Sequence, residues 1–184
     1  MHVFRKLLPA ERSKLRDHLL RLSAPDRLLR FSGTIGDASV AAYCDSLDWG
    51  SGHVVGVFVD GVLRGVADLR LESGFLPSWG EIALSVETPW QKQGVGTELM
   101  RYALVVARNR GVRKVLCICR PENLPMQRLA RKFGATLRRE EDEVIADIPV
   151  PVGTYLTLCA EAATEGLGLV GAWFDGLTPR PQAA

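Results

Sequence analysis

The seven residues Gln91-Lys92-Gln93-Gly94-Val95-Gly96-Thr97 hold the combination in this chain best suited to chemistry: a cation and two glycines where an apolar run gives way to a helical period. The first amides of a helix lack internal partners, and its dipole favours an anion there. Gly94 and Gly96 have no side chain to keep a phosphate from those amides. Each charge-assisted hydrogen bond contributes roughly 1.5–3 kcal/mol, so several together could hold a pyrophosphate. The same glycines would equally serve a strand-to-helix turn that needs them for geometry alone. The spacing is neither Gly-x-Gly-x-x-Gly nor a longer loop ending in Gly-Lys-Ser/Thr.

The surrounding pattern supplies elements to position this turn. Val3 to Leu7 reads as a short strand, and Pro9 opens a helix with Leu15, Leu19 and Leu22 on one face. Asp26 to Phe31 is a basic and apolar link without a clear period, and Asp37 is placed as the cap of a helix carrying Val40, Ala41, Cys44 and Leu47. Two β-branched runs, Val54 to Val59 and Val62 to Leu71, flank Asp60-Gly61, the strongest short-range signal for a hairpin. A turn-rich stretch, Glu72 to Gly80, leads to a strand from Glu81 to Val86 that Pro89 stops. Leu99, Ala103, Val106 and Ala107 then mark a helix ending at Gly111, Val112 to Cys119 a buried strand, and Met126, Leu129, Ala130 and Phe133 a helix ending at Gly134. Residues 135–139 and 144–150 form a closing hairpin across the acidic, solvated turn Glu140 to Glu143, and the order as a whole predicts a mixed sheet with covering helices.

Composition bounds the partners. At 184 residues the chain can bury a sizeable core, and a net charge of +2 gives no reason to expect nucleic acid or an acidic membrane surface. Cys44, Cys117, Cys119 and Cys159 form no Cys-x-x-Cys pair, and His2, His18 and His53 do not accompany them at zinc-ligand spacing, so no metal and buried free thiols are expected. Charged residues from Glu11 to Asp17 exclude a secretory signal, and the apolar stretch from Gly166 to Phe174 is about half the length that spans a bilayer, so the expected setting is cytoplasmic.

Gln91-x-x-Gly94-x-Gly96 resembles the Arg/Gln-x-x-Gly-x-Gly/Ala signature of the GNAT superfamily, the acyl-coenzyme A-dependent N-acyltransferases. The strand at Glu81, the helix stop at Arg110-Gly111-Val112 and the run Asn123, Met126, Leu129, Lys132, Phe133, Gly134 also fall where that family's pattern puts them, and the start, with Arg30-Phe31, resembles bacterial members acting on protein lysines. The resemblance implies an α/β (α+β) GNAT fold over residues 1–150: a mixed, mostly antiparallel sheet of about seven strands, splayed at the middle and covered by helices on both faces. A partly helical extension, 151–184, would follow, with 179–184 loose and 155–163 helix or strand. The implied function is transfer of an acetyl (acyl) group from acetyl-CoA, as co-substrate, to a primary amine, by a monomer or homodimer. Leu84, Ser85 and Val86 would bind the pantetheine arm like an added strand. Lys92, Gln93, Gly94, Val95, Gly96 and Thr97, led by Gln91, would take the pyrophosphate, and Asn123 would hold the arm near its thiol.

The transfer needs a neutral amine. A lysine amine, with a pKa near 10.4, must give up its proton, at roughly 4–5 kcal/mol at neutral pH. In members resembling this chain a glutamate at the position of Glu81 acts as general base, which makes Glu81 the first candidate here. The tyrosine that often protonates the leaving thiolate falls at Ala130, and none occurs between Tyr102 and Tyr155. Ser85 and Cys119 are substitutes by neighbourhood alone. Trp79 and Trp90 suit an acceptor pocket or the core equally, and His53 is expected to be structural or exposed. The missing tyrosine motivates the alternative reading, a non-catalytic acyl-CoA-binding or sensing protein.

Overall fold

Asp60 and Gly61 both adopt positive φ, 50° and 74°, the combination that a two-residue hairpin turn with native strand twist requires. They join β2 (Gly52–Val59) to β3 (Val62–Leu71). The structure, a computed structural model, describes residues 2–163 apart from 75–76, 157 and 160. Around the hairpin stand β1 (His2–Lys6), α1 (Arg12–Arg21), α2 (Ala24–Phe31), α3 (Asp37–Ser46), β4 (Trp79–Val86), α4 (Val95–Asn109), β5 (Lys114–Cys119), α5 (Leu124–Lys132), β6 (Thr136–Glu140) and β7 (Glu143–Pro149). They form one seven-stranded sheet in the order β1-β2-β3-β4-β5-β7-β6. Among the described residues only the β4–β5 pair is parallel.

Alternation along the strands divides the core between two faces. Val55, Val57, Ala67, Leu69, Ile82 and Val86 point toward α4, where Leu99, Met100 and Ala103 are fully buried. Val54, Val66 and Leu63 point the other way, toward Leu15 and Leu19 of α1 and Val40 and Cys44 of α3. Glu81, Ala83 and Ser85 share this second face of β4, against which α2 packs.

Several expectations need correction. Residues 26–31 are not a link but most of α2: the Ser23 hydroxyl accepts from the Asp26 amide, and Pro25 occupies the first turn. Asp37 is the first helical residue of α3, with Gly36 as its cap. Strand β4 begins at Trp79, so Glu81 lies inside it, opposite Arg70. Gly80 permits this, because a Cβ there would stand 2.8 Å from the Arg70 carbonyl. Cys44, Cys117 and Cys119 are buried, and burial pushes the Cys117 thiol up to about 12, but Cys159 is exposed. The helix-or-strand alternative at 155–163 resolves to helix at the residues described there, and 164–184 lie outside the described residues. Among the described residues no helix is long and apolar enough to cross a membrane.

A buried ion pair ties β1 to the turn before α1. Arg5 donates to both oxygens of Glu11 at 2.6 and 2.8 Å, and Lys14 and the Leu8 amide also donate to it. Burial pushes the Glu11 carboxyl up, but these bonds outweigh it and hold the group at about 2. A carboxylate with a depressed pKa stabilises the fold above its unfolded value, and that contribution is lost as pH falls through the folded one. The stabilisation attributable to Glu11, about 3 kcal/mol at neutral pH, therefore disappears between pH 4.5 and about 2. Glu11→Gln is expected to lower stability at pH 7 and to flatten the stability loss across that window, as read from denaturant midpoints at several pH values.

Candidate functional site

Strands β4 and β5 pair over only three positions, Trp79↔Lys114, Gly80↔Val115 and Glu81↔Leu116. Beyond these, β4 stays joined to β3 as far as Val86, and β5 stays joined to β7 as far as Cys119. Each strand keeps its outer partner while the two separate from one another. The result is a notch whose β4 wall, from Ile82 to Val86, is sheet edge that β5 leaves unpaired, with the Val86 carbonyl taken by the Gln91 side chain.

The chain leaves that wall through a short turn, Thr88–Trp90, and reverses at Lys92 and Gly94, with φ of 59° and 84°. For glycine the second value is free of strain. No side chain caps this helix, and its first backbone bond runs from the Glu98 amide to the Gly94 carbonyl at 3.1 Å. The amides of Val95, Gly96 and Thr97 therefore lie ahead of the helical ladder, at the positive end of a 15-residue helix.

A cavity of about 250 Å³ opens at the notch. It brings together Leu84, Ser85 and Val86 of β4, Gln91, Lys92 and Gly96 of the turn, and Asn123. Gln93, Val95 and Thr97 do not line it: the Gln93 side chain donates to the Pro89 carbonyl, and Val95 is buried in the core, which leaves their backbone as the part available to an anion. The Gln91 side chain braces the turn, donating to the Val86 carbonyl at 2.9 Å and to Asp26 at 3.0 Å. Asn123 caps α5, its side-chain oxygen accepting from the Met126 amide at 3.2 Å. Lys92 and Arg128 make the cavity basic.

Helix α2 forms the remaining wall through Asp26, Leu29 and Arg30, none of which the sequence marks as part of a site. Asp26 also accepts from Thr88 at 2.7 Å, so α2 is fastened to the glycine turn from 62 residues away. Arg30 borders a second cavity of about 410 Å³, which Glu81 and Ala83 also line. Glu81 is exposed and belongs to this second cavity rather than the first. Two carboxylates, Asp48 and Glu81, stand at its rim. Asp68 at its base is matched by Arg70 at 2.6 Å and accepts from Tyr43, whose own hydroxyl is pushed up to about 12 chiefly by burial.

Trp79 and Trp90 line neither cavity, and Trp90 packs on the core. His53 is half-buried, and burial together with Arg110 and Lys6 holds it down at about 4, so it is neutral. Ala130 is wholly buried, and its methyl cannot serve the cavity as a hydroxyl would. His18 also went unmarked in the sequence. It is fully buried beneath β4 and contacts Ser85 and Glu87. Among the described residues no cluster of histidine, cysteine or carboxylate side chains could hold a metal ion.

Comparison with known proteins agrees with this geometry. The chain is 29% identical over 145 residues to an acetyltransferase of Pseudomonas aeruginosa, across 77% of this chain and 78% of that one. The fold superposes on the GNAT domain of PAT from S. lividans with a TM-score of 0.70 at 18% identity, covering 79% of this chain and 89% of that domain. It also matches a putative acetyltransferase of Salmonella typhimurium solved with its cofactor acetyl-CoA (TM-score 0.64, 16% identity, 84% and 96% covered). Residues 22–135 match the profile of the Acetyltransferase (GNAT) family, a span that takes in α2, the notch, the glycine turn and α5. A split sheet, an uncapped glycine-bearing helix start and this match converge, and the chain belongs to the GNAT family of acyl-CoA-dependent acetyltransferases.

Proposed function

We propose that the chain transfers an acetyl group from acetyl-CoA to a primary amine by direct attack within a ternary complex. One observation carries the reading: β4 parts from β5 after Glu81 and runs on to the uncapped, left-handed turn at Gly94, and one cavity is lined by both the freed strand and the turn, so a groove and an anion cradle are contiguous. The amides of Val95, Gly96 and Thr97, with Lys92, receive the pyrophosphate. The pantetheine arm lies along the free edge of Leu84, Ser85 and Val86 as an extra strand would. Because the Asn123 oxygen already caps α5, its bond to the arm is donated by the amide nitrogen.

The amine enters from the second cavity, where Asp48 and Glu81 attract its ammonium form. Glu81 accepts a proton through a water and passes it to solvent. The neutral amine then attacks the thioester carbonyl near Ala83. Residues 1–150 make up the transferase unit, in a cytoplasmic setting that keeps the thiols reduced. The extension is seated where Glu161 meets Lys6, Asn109 and Arg110.

The test is release of coenzyme A from acetyl-CoA in the presence of polyamines, lysine peptides, peptide N-termini, aminoglycosides and amino acids. Thiol release with one of these classes is expected. Tight binding of acetyl-CoA without turnover on any of them would instead favour a sensing role.

A further inference from the structure

Beneath the wall of the cofactor cavity lies a hydrogen-bonded chain of three side chains that the transfer mechanism above does not use. Ser85 lines the cavity. Its hydroxyl oxygen is 3.0 Å from Nε2 of His18, and Nδ1 of that histidine is 3.2 Å from Oε1 of Glu87. His18 is fully buried, and Ser85 and Glu87 are nearly so. Glu87 also receives Arg21 and Arg64, each at 2.9 Å.

The direction of each bond follows from chemistry. A carboxylate held between two guanidiniums stays ionised, and it can only accept. Nδ1 of His18 must therefore carry the proton. Burial, with Arg21 and Arg30 nearby, keeps the ring neutral against the pull of Glu87, which leaves Nε2 as a bare lone pair. The Ser85 hydroxyl donates to it and turns its own lone pairs away from His18. Such a chain accepts a proton at its serine end and stores it on an imidazolium stabilised by Glu87.

We propose that Ser85, backed by His18 and Glu87, is the proton carrier of the transfer step. The inference rests on the acetyl-transfer reading and adds to it the group that protonates the thiolate, the role left open by alanine at position 130. Attack forms the C–N bond and leaves a proton in excess on the nitrogen. Ser85 takes that proton as its own passes to Nε2. When the C–S bond breaks with its electron pair on sulfur, the imidazolium returns a proton through Ser85 to the thiolate. The products are the amide and the neutral thiol, and the relay ends as it began. Glu81 handles the earlier proton, the one that makes the ammonium an amine. Ser85 is the catalytic residue here; His18 and Glu87 are positioning residues.

Steady-state kinetics with an amine that the wild type acetylates provide the test. Ser85→Ala is expected to lower kcat roughly 10²-fold with the KM for acetyl-CoA unchanged, and Ser85→Thr, which keeps the hydroxyl, to recover most of it. Glu87→Gln retains an acceptor for Nδ1 but loses the charge that supports an imidazolium, so it is expected to lower kcat while thermal stability falls only modestly. Should Ser85→Ala not fold, Ser85→Val tests the same point, since valine has the shape of threonine without its hydroxyl, and a fall in kcat is again expected. Normal kcat in Ser85→Ala, or in Ser85→Val should that variant be needed, would overturn the relay and leave the transferase reading intact. No turnover by the wild type on any amine would remove both. An acetyl ester on Ser85, detected by mass spectrometry after mixing with acetyl-CoA alone, would also overturn it in favour of a covalent route.

Discussion

Glu81→Gln is expected to lower kcat by roughly 10²- to 10⁴-fold while acetyl-CoA binds as before, the range usual for loss of a positioned general base. The separation follows from where the residue stands. Glu81 lines the second cavity and shares no wall with the glycine turn, so its charge does not touch the cofactor. It does share a face of β4 with Ala83, two residues along, a rise of roughly 6–7 Å that one water can bridge. Without the carboxylate the enzyme must wait for the small fraction of amine already neutral in solution. That fraction grows about tenfold per pH unit below an amine pKa near 10.4, so the deficit of the variant should narrow as pH rises. Rates across pH 7 to 10 check both statements. A variant with wild-type turnover at pH 7 would reduce Glu81 to an exposed carboxylate on a strand.

The second large effect is on binding. Gly96→Glu is expected to weaken acetyl-CoA by roughly 10²- to 10⁴-fold without unfolding the protein. A Cβ at Gly96 would meet Leu84 and Leu129 at 3.7 and 3.8 Å, ordinary contacts, so the backbone tolerates a side chain. A glutamate in the first turn even favours the helix, by about 0.5–1 kcal/mol through the dipole and through loss of a glycine. Its carboxylate, however, occupies the cradle and repels a diphosphate. Losing two charge-assisted bonds of roughly 1.5–3 kcal/mol each gives the predicted range. Calorimetry and a thermal melt on the same sample should move in opposite senses, with affinity down and the melting midpoint unchanged or raised.

These predictions draw on features of unequal visibility in the sequence. The hairpin at Asp60-Gly61, the helix stops at Gly111 and Gly134 with φ near 80°, and the turn at Gly94 are local, and each is marked by a residue whose backbone freedom the turn requires. Helix α2 is different. It has eight residues, barely two turns in which to show a helical period, and none of them is fully buried; it is held by Phe31 packing on Tyr43 and by Asp26 reaching Thr88 and Gln91. The true start of β4 depends on Gly80 letting the Arg70 backbone approach, a tertiary contact that makes a turn-like sequence extended. His18 falls on the apolar face of α1 with Leu15, Leu19 and Leu22, a spacing that marks it as buried without showing what it meets. Its meaning appears only when α1 is laid across β4 and brings it to residues 67 and 69 positions away. The resemblance to acyltransferases supplied the candidates for the cradle and the base. It could not reveal the wall that α2 builds, or Arg30 between the two cavities.

The most direct measurement is of the backbone amide resonances of the wild-type protein titrated with coenzyme A. The largest shifts are expected at residues 92–97 and along 84–86, with salt weakening the binding as expected for an exposed anion site. Saturable binding that leaves the amides of Val95, Gly96 and Thr97 unmoved would contradict the account, because the diphosphate would then be held somewhere other than the head of α4.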